Sequence, residues 1–162
     1  MSFSIPPYSL IPLDLKAVQL YRLACCGLYC GDCFIYQGKI ADLSRDLRKE
    51  LRQAKFDKAA ASLAEVPFFA MLKNYPQCYE VLGALVRFRC HRACRGGGGP
   101  PNCRIRKCCQ KKGIDGCWQC DEFVTCSKLD DLNAMHGDAH RKNLGIIKKQ
   151  GLDGLIQGKR YW

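Results

Sequence analysis

At 162 residues the chain can bury roughly two-thirds of its unfolded surface unaided, so its 13 cysteines do not compensate for a missing core. Its formal charge of +11 falls to about +7 once two four-thiolate metal centres of about −2 each are allowed for, a balance too ordinary to make it a nucleic-acid binder on charge alone. No uninterrupted apolar run approaches the ~20 residues that cross a bilayer, which excludes a helical membrane span.

Taken in chain order, the N-terminus (M-S-F-S-I-P-P-Y-S-L-I-P-L-D-L-K) has no basic start and is interrupted by Pro6, Pro7 and Pro12, so it makes a poor signal peptide. A cytoplasmic, reducing setting is expected, in which clustered cysteines hold metal instead of forming disulfides. The first cysteine group follows. Ile40, Leu43, Leu47, Leu51 and Ala54 then recur at steps of three and four, opposite Arg45, Asp46, Lys49 and Glu50, and predict an amphipathic helix. A second helix is expected over Phe56–Ala64, to be ended or kinked by Pro67, and a third begins at Pro76 and runs through Val81, Leu82, Leu85 and Val86. From 90 to 126 the periodicity is lost. Gly96–Gly99 followed by Pro100 and Pro101 reads as a flexible loop, and the rest as short knuckles instead of regular elements. A helix returns near 138–150, through Ala139, Leu144, Ile146 and Ile147, with a shorter one around Leu152–Gln157.

The expected fold is mainly α: a small helical bundle with an irregular cysteine-rich metal-binding region. It forms a single domain over 1–162, with a first cysteine group at 25–33, a helical segment at 34–89, a second cysteine group at 90–126 and a helical tail at 127–162. The two cysteine regions are expected to meet at one end of the bundle.

The cysteine spacings carry the chemistry. Cys26-x3-Cys30-x2-Cys33 is a three-thiolate loop of the kind that holds a four-iron cluster with a fourth ligand supplied from elsewhere. Cys117-x2-Cys120-x5-Cys126 is a second trio, and the pairs Cys90-x3-Cys94 and Cys103-x4-Cys108 could complete those sites or form another. These ten are the candidate metal ligands. Cys25, Cys78 and Cys109 are as well explained as small buried hydrophobes. Zinc is the rival: the C-x2-C pairs Cys30/Cys33 and Cys117/Cys120 could share one tetrahedral ion. A zinc knuckle often has glycine after its second cysteine, where this chain has Phe34 and Asp121. That departure and the trios favour [4Fe-4S] clusters, although thiolates suit both metals.

Two more specialised cluster readings are minor alternatives. A radical-SAM loop has an aromatic before its last cysteine, where this chain has Asp32, and its barrel needs more residues than follow Cys33. The pairs Cys25-Cys26 and Cys108-Cys109 lack the long fixed spacings of non-cubane cluster subunits.

C-G-L-Y-C-G-D-C-F-I-Y, C-H-R-A-C-R-G, N-C-R-I-R-K-C and K-G-I-D-G-C-W-Q-C-D-E-F-V-T-C-S-K-L together resemble a family of small cysteine-rich microbial proteins. That family is classed as a domain of unknown function for which metal binding has been suggested. The likeness runs over about 25–157, including the tail H-G-D-A-H-R-K-N-L-G-I-I-K-K-Q-G-L. By position it implies Cys26, Cys30, Cys33, Cys94, Cys103, Cys108, Cys117, Cys120 and Cys126 as the family's cysteines. Cys90 departs from the family's usual two-residue pair spacing, and the Gly96–Pro101 loop is unusual for it. The resemblance implies metal binding inside the cell and no established activity.

Weaker signals have ordinary readings. Arg104, Arg106, Lys107, Lys111 and Lys112 offset thiolate charge or are solvated, and no aromatics are interleaved to make a base-stacking surface. His136 and His140 could share a helix face, but Gly137 intervenes and no glutamate stands where a zinc protease needs one, so a surface or capping role is expected. His91, between Cys90 and Cys94, is the better candidate for an occasional ligand. The glycine run lacks a P-loop lysine, and Cys117-Trp118-Gln119-Cys120 lacks the tryptophan that precedes a thioredoxin-type dithiol. No catalytic constellation is identifiable.

The leading expectation is therefore a metal-binding protein with two or more thiolate-ligated centres, serving iron–sulfur electron transfer or redox sensing with a protein partner. The alternative is a zinc-stabilised module that binds protein or nucleic acid. A metal-free thiol oxidoreductase is a third class.

Overall fold

The computed structural model describes residues 15–162, so the proline-interrupted N-terminal stretch with Pro6, Pro7 and Pro12 lies outside the described residues. The chain is mainly helical. Its α-helices are α1 (Leu15–Tyr21), α2 (Phe34–Gln37), α3 (Lys39–Gln53), α4 (Phe56–Leu63), α5 (Tyr75–Arg87), α6 (Arg104–Lys112), α7 (Ser127–Asp130), α8 (Asn133–His136) and α9 (Ala139–Gln157). Among the described residues the β structure is one isolated antiparallel bridge, Leu23 to Tyr29. No helix of the described residues is long and apolar enough to cross a membrane.

The helical segment between the cysteine groups folds much as its periodicity predicts. Lys55, at φ 50° in the left-handed region, makes the corner between α3 and α4. Pro67 does not merely end α4; it opens a 3-10 run, Pro67–Asn74, and Pro76 sits in the first turn of α5. Helices α3 and α5 pack on each other through Arg48, whose Nη1 donates to the Tyr79 carbonyl at 2.5 Å while its guanidinium lies 4.0 Å from the Tyr79 ring centre. A side chain at position 83 would fall on that guanidinium, which is why glycine suits the crossing.

The buried face of α3 differs from the expected one. Ala41 and Ser44 are buried, whereas Ile40, Leu43 and Leu47 of the apolar stripe are exposed. The molecular core lies in the cysteine-rich half. Ile105, Cys109, Cys117, Phe123, Leu129 and Leu144 form its largest cluster; Leu23, Tyr29, Ile147 and Leu155 form a second, and Ala24, Cys30 and Ala93 a third. Leu23, Leu129, Leu144 and Leu155 have no exposed surface, each contributing about 1.5–3 kcal/mol of apolar burial.

One further departure concerns 90–126, and the tail follows its expected division. The second cysteine region holds a regular nine-residue helix, α6, where only irregular knuckles are expected, because Ile105 and Cys109 stand four apart and bury one side of it. The two expected C-terminal helices are present as the halves of α9, broken at Gly151 (φ 74°, ψ 179°). Asn143, fully buried on α9, ties down the tail by donating to the Tyr161 carbonyl at 2.8 Å and accepting from the Tyr161 N–H at 2.9 Å.

Candidate metal centre

The Leu23–Tyr29 bridge closes a tight turn around Cys25-Cys26-Gly27. Gly27 donates to the Ala24 carbonyl at 3.0 Å, and Cys30 donates to the Arg22 carbonyl at 2.7 Å. Gly27 is required there twice over: its φ is 86°, and a Cβ would meet the side chain of Leu144 on α9. Past the turn, a 3-10 turn over Cys30–Asp32 presents Cys30 and then Cys33, which caps α2.

Cys26, Cys30 and Cys33 from this loop meet Cys94 and Cys103 from the second cysteine group around one cavity of about 320 Å³. The wall between them is apolar, with Ala24, Leu28, Ile35, Ile105 and Leu132, and Cys25, Pro100, Arg106, Asp131, Met135, His136 and Trp162 complete the lining. Cys94 donates its N–H to Cys30 Sγ at 3.3 Å. The Cys94 thiol donates to the same sulfur, which with that N–H lowers the Cys30 thiol from its usual 9.0 to about 7; Cys94, the donor, moves up. Burial pushes Cys26 up to about 12 and raises Cys33 as well.

The Gly96–Pro101 stretch is a structured wall of this cavity, not the flexible loop its composition suggests. Arg106 clamps it, with Nη1 donating to the carbonyls of Cys94 (3.0 Å) and Gly98 (2.7 Å) and Nη2 to those of Pro100 (3.0 Å) and Pro101 (3.3 Å). Gly98 packs against the Arg92 carbonyl with no room for a Cβ. Arg141 acts in the same way on the 121–126 loop, donating to the carbonyls of Phe123, Val124 and Cys126. These arginines hold backbone carbonyls.

The other expected ligands divide. Cys90 borders Cys33 and Cys94 without lining the cavity, and its N–H donates to the Ile35 carbonyl at 3.1 Å. Cys117 meets Cys109 with sulfurs 3.8 Å apart, and Cys25 donates its thiol to Cys109 in turn. Cys120 accepts from Lys112 Nζ at 3.3 Å, and Cys126 packs against the cluster around Phe123. Cys108 is half-buried on α6, and Cys78 is exposed on α5. His91 is exposed and does not line the cavity. Among the described residues no three His, Cys, Asp or Glu side chains are gathered tightly enough to hold a metal ion as they stand.

Sequence reasoning passed over Cys25 and Cys109, which the fold brings together; adjacency of Cys25 to Cys26 is the signal, since neighbouring side chains on a turn can serve different sites. It also placed His140 at the surface. His140 is instead fully buried, with neither ring nitrogen hydrogen-bonded, and burial lowers its pKa. His136 lies half-buried at the cavity, its Nδ1 enclosed without a partner and its ring edge-on to Trp162 at 4.8 Å.

A family model described as "Protein of unknown function (DUF3795)" matches residues 22–131, more than half of the chain. The chain belongs to the DUF3795 family. The DUF3795 match takes in every cysteine that lines the cavity and stops short of His136 and Trp162 on its wall. No curated protein and no solved structure matches the chain.

Proposed function

We propose that this DUF3795 protein carries an iron–sulfur cluster in the cavity lined by Cys26, Cys30, Cys33, Cys94 and Cys103, and that it transfers electrons to, or senses redox state for, a protein partner. The observation that carries this reading is that thiols from segments more than sixty residues apart in sequence stand around a volume of about 320 Å³ instead of converging on a point. A single tetrahedral zinc ion requires every sulfur about 2.3 Å from one centre; a multi-iron cluster occupies a volume and takes thiolates at its corners.

A bound cluster supplies one-electron chemistry at a potential set by its surroundings. The protein's own contributions are definable. Ala24, Leu28, Ile35, Ile105 and Leu132 give the cavity its apolar lining. The Cys94 N–H, aimed at Cys30 Sγ, stabilises negative charge on that sulfur and so favours the reduced state. Arg106 holds the 94–101 wall in place through four carbonyls.

The test is iron and acid-labile sulfide content with a visible spectrum, on protein purified without oxygen, for the native chain and for Cys30→Ser. Iron with matching sulfide, lost or diminished in Cys30→Ser, supports the reading. Zinc without sulfide replaces it with the zinc-stabilised interaction module.

A further inference from the structure

We propose that Cys25, Cys109 and Cys117 form a second thiolate site, centred on the buried Cys109–Cys117 pair beside the cavity that Cys25 also borders, for a single soft closed-shell cation of the zinc or cuprous class. This deepens the metal-protein reading by naming another centre with its own ligands.

The three residues arrive from different elements: the bridge-closed turn, the buried side of α6, and the 3-10 turn Cys117–Gln119. Backbone contacts fix two of them, the Cys117 N–H donating to the Cys25 carbonyl at 2.8 Å. Cys109 is the middle of the chain of sulfurs. Its Sγ lies 3.8 Å from Cys117 Sγ and accepts from the Cys25 thiol. Sulfurs bound at about 2.3 Å to one tetrahedral ion stand about 3.8 Å apart, so the Cys109–Cys117 spacing is already that of two ligands to one metal.

A second observation comes from Arg95. Its Nη2 is buried without a hydrogen-bond acceptor, although Nε donates to the Leu23 carbonyl at 3.1 Å and Nη1 stands 3.9 Å from the exposed Asp115 carboxylate. The guanidinium lies close enough to Cys25 to favour its thiolate. A buried N–H left without an acceptor beside neutral thiols is costly, whereas a metal–thiolate group would supply it with a negative partner. Three thiolates on Zn²⁺ carry −1 and on Cu⁺ carry −2. Cys109 is 2% exposed and Cys117 9%, within a cluster of Ile105, Phe123, Leu129 and Leu144; three thiolates satisfy Cu⁺, whereas a structural Zn²⁺ takes a fourth ligand, so the cuprous ion fits this trio better. Loading exchanges three S–H bonds for three metal–sulfur bonds, releases three protons to solvent and moves no electron.

The experiment measures zinc, copper, iron and sulfide in anaerobically isolated protein, before and after addition of Zn(II) or Cu(I) alone, for the native chain, Cys25→Ser, Cys109→Ser and Cys30→Ser. The expected result is about one equivalent of zinc or copper beside any iron. Cys25→Ser and Cys109→Ser lose that equivalent and keep the iron; Cys30→Ser does the reverse, so the two centres fail separately. The arm that loads identifies the ion. X-ray absorption at its edge on the native protein, which needs no variant to fold, should show sulfur ligands only. Unchanged zinc and copper in Cys109→Ser, no uptake of either ion, nitrogen or oxygen ligands at the edge, or a Cys109–Cys117 disulfide in the protein as isolated would each overturn the proposal.

Discussion

Arg160 grips Asp32 with both sides of its guanidinium, Nε to Oδ2 at 2.7 Å and Nη2 to Oδ1 at 3.2 Å, across a separation of 128 residues. Its Nη1 donates to the Ile156 carbonyl at 2.7 Å, and the group lies 4.7 Å from the ring centre of Tyr29. Asp32 stands between Cys30 and Cys33, so the tail beyond α9 clamps the loop that presents those thiols. A fork of this kind matches a carboxylate in a way that lysine does not.

Replacing Arg160 with Ala should therefore lower stability by about 1–3 kcal/mol and the melting temperature by several degrees, with Arg160→Lys falling between it and the native chain. Thermal unfolding followed by circular dichroism checks this. Equal melting temperatures for all three proteins would mean that the clamp contributes nothing.

Cys30 should be the first cavity thiol to react in metal-free, reduced protein. Hydrogen bonds from Cys94 bring it from 9.0 to about 7, so between pH 7 and 9 it is a thiolate while Cys26, near 12, keeps its proton. Alkylation with a small reagent, mapped by mass spectrometry against pH, should show Cys30 modified with a midpoint near pH 7 and Cys26 unmodified across that range. A Cys30 midpoint at or above 9.0 contradicts the hydrogen-bonded pair.

His140 makes the opposite use of burial. Its pKa is lowered, chiefly by desolvation, so the unfolded chain binds its proton more readily than the folded one. Stability should thus be full above the unfolded histidine value and fall as pH drops through and below about 6.5. His140→Leu removes two unsatisfied buried nitrogens at similar volume, and should be neutral or stabilising at pH 7 and flatten that decline. Urea unfolding at pH 7 and pH 5 checks both parts. A variant as acid-sensitive as the native chain would shift responsibility to His136, whose pKa burial also lowers.

Lys55 holds a left-handed corner that glycine adopts without steric cost. Lys55→Gly should stabilise the chain by about 1 kcal/mol, read as a higher urea midpoint at constant slope. A lower midpoint would mean that glycine's added freedom in the unfolded chain outweighs the relieved strain.

The helices between the cysteine groups were legible because α3, α4 and α5 repeat apolar residues at helical spacing and carry proline at their boundaries. What periodicity could not reveal was which side of α3 faces inward. Its neighbour α5 crosses through Arg48 and Gly83, so Ala41 and Ser44 are covered and Leu43 and Leu47 are left outside. Spacing within C-x3-C-x2-C marked Cys26, Cys30 and Cys33 as neighbours, and they share a cavity. That Cys94 and Cys103 join them, while Cys109 turns to Cys25 and Cys117, depends on how α6 packs under α9, which no local pattern encodes. Nor does a cysteine announce whether it is a ligand or a small hydrophobe.

The segment from α3 to α5 buries few side chains of its own: Ala41 and Ser44 on α3 and Ala60 on α4, with none on α5. Its base is pinned where the Cys90 N–H donates to the Ile35 carbonyl and where Arg89 reaches both Asp42 and the Gly38 carbonyl. It is a limb hinged on the cysteine half, with little apolar burial to keep it shut. Its amides should exchange with deuterium through local openings, well before those around Leu23, Leu129 and Leu144. Protease nicks should likewise fall first within this limb, leaving the two cysteine groups on separate resistant pieces that stay associated through the shared core.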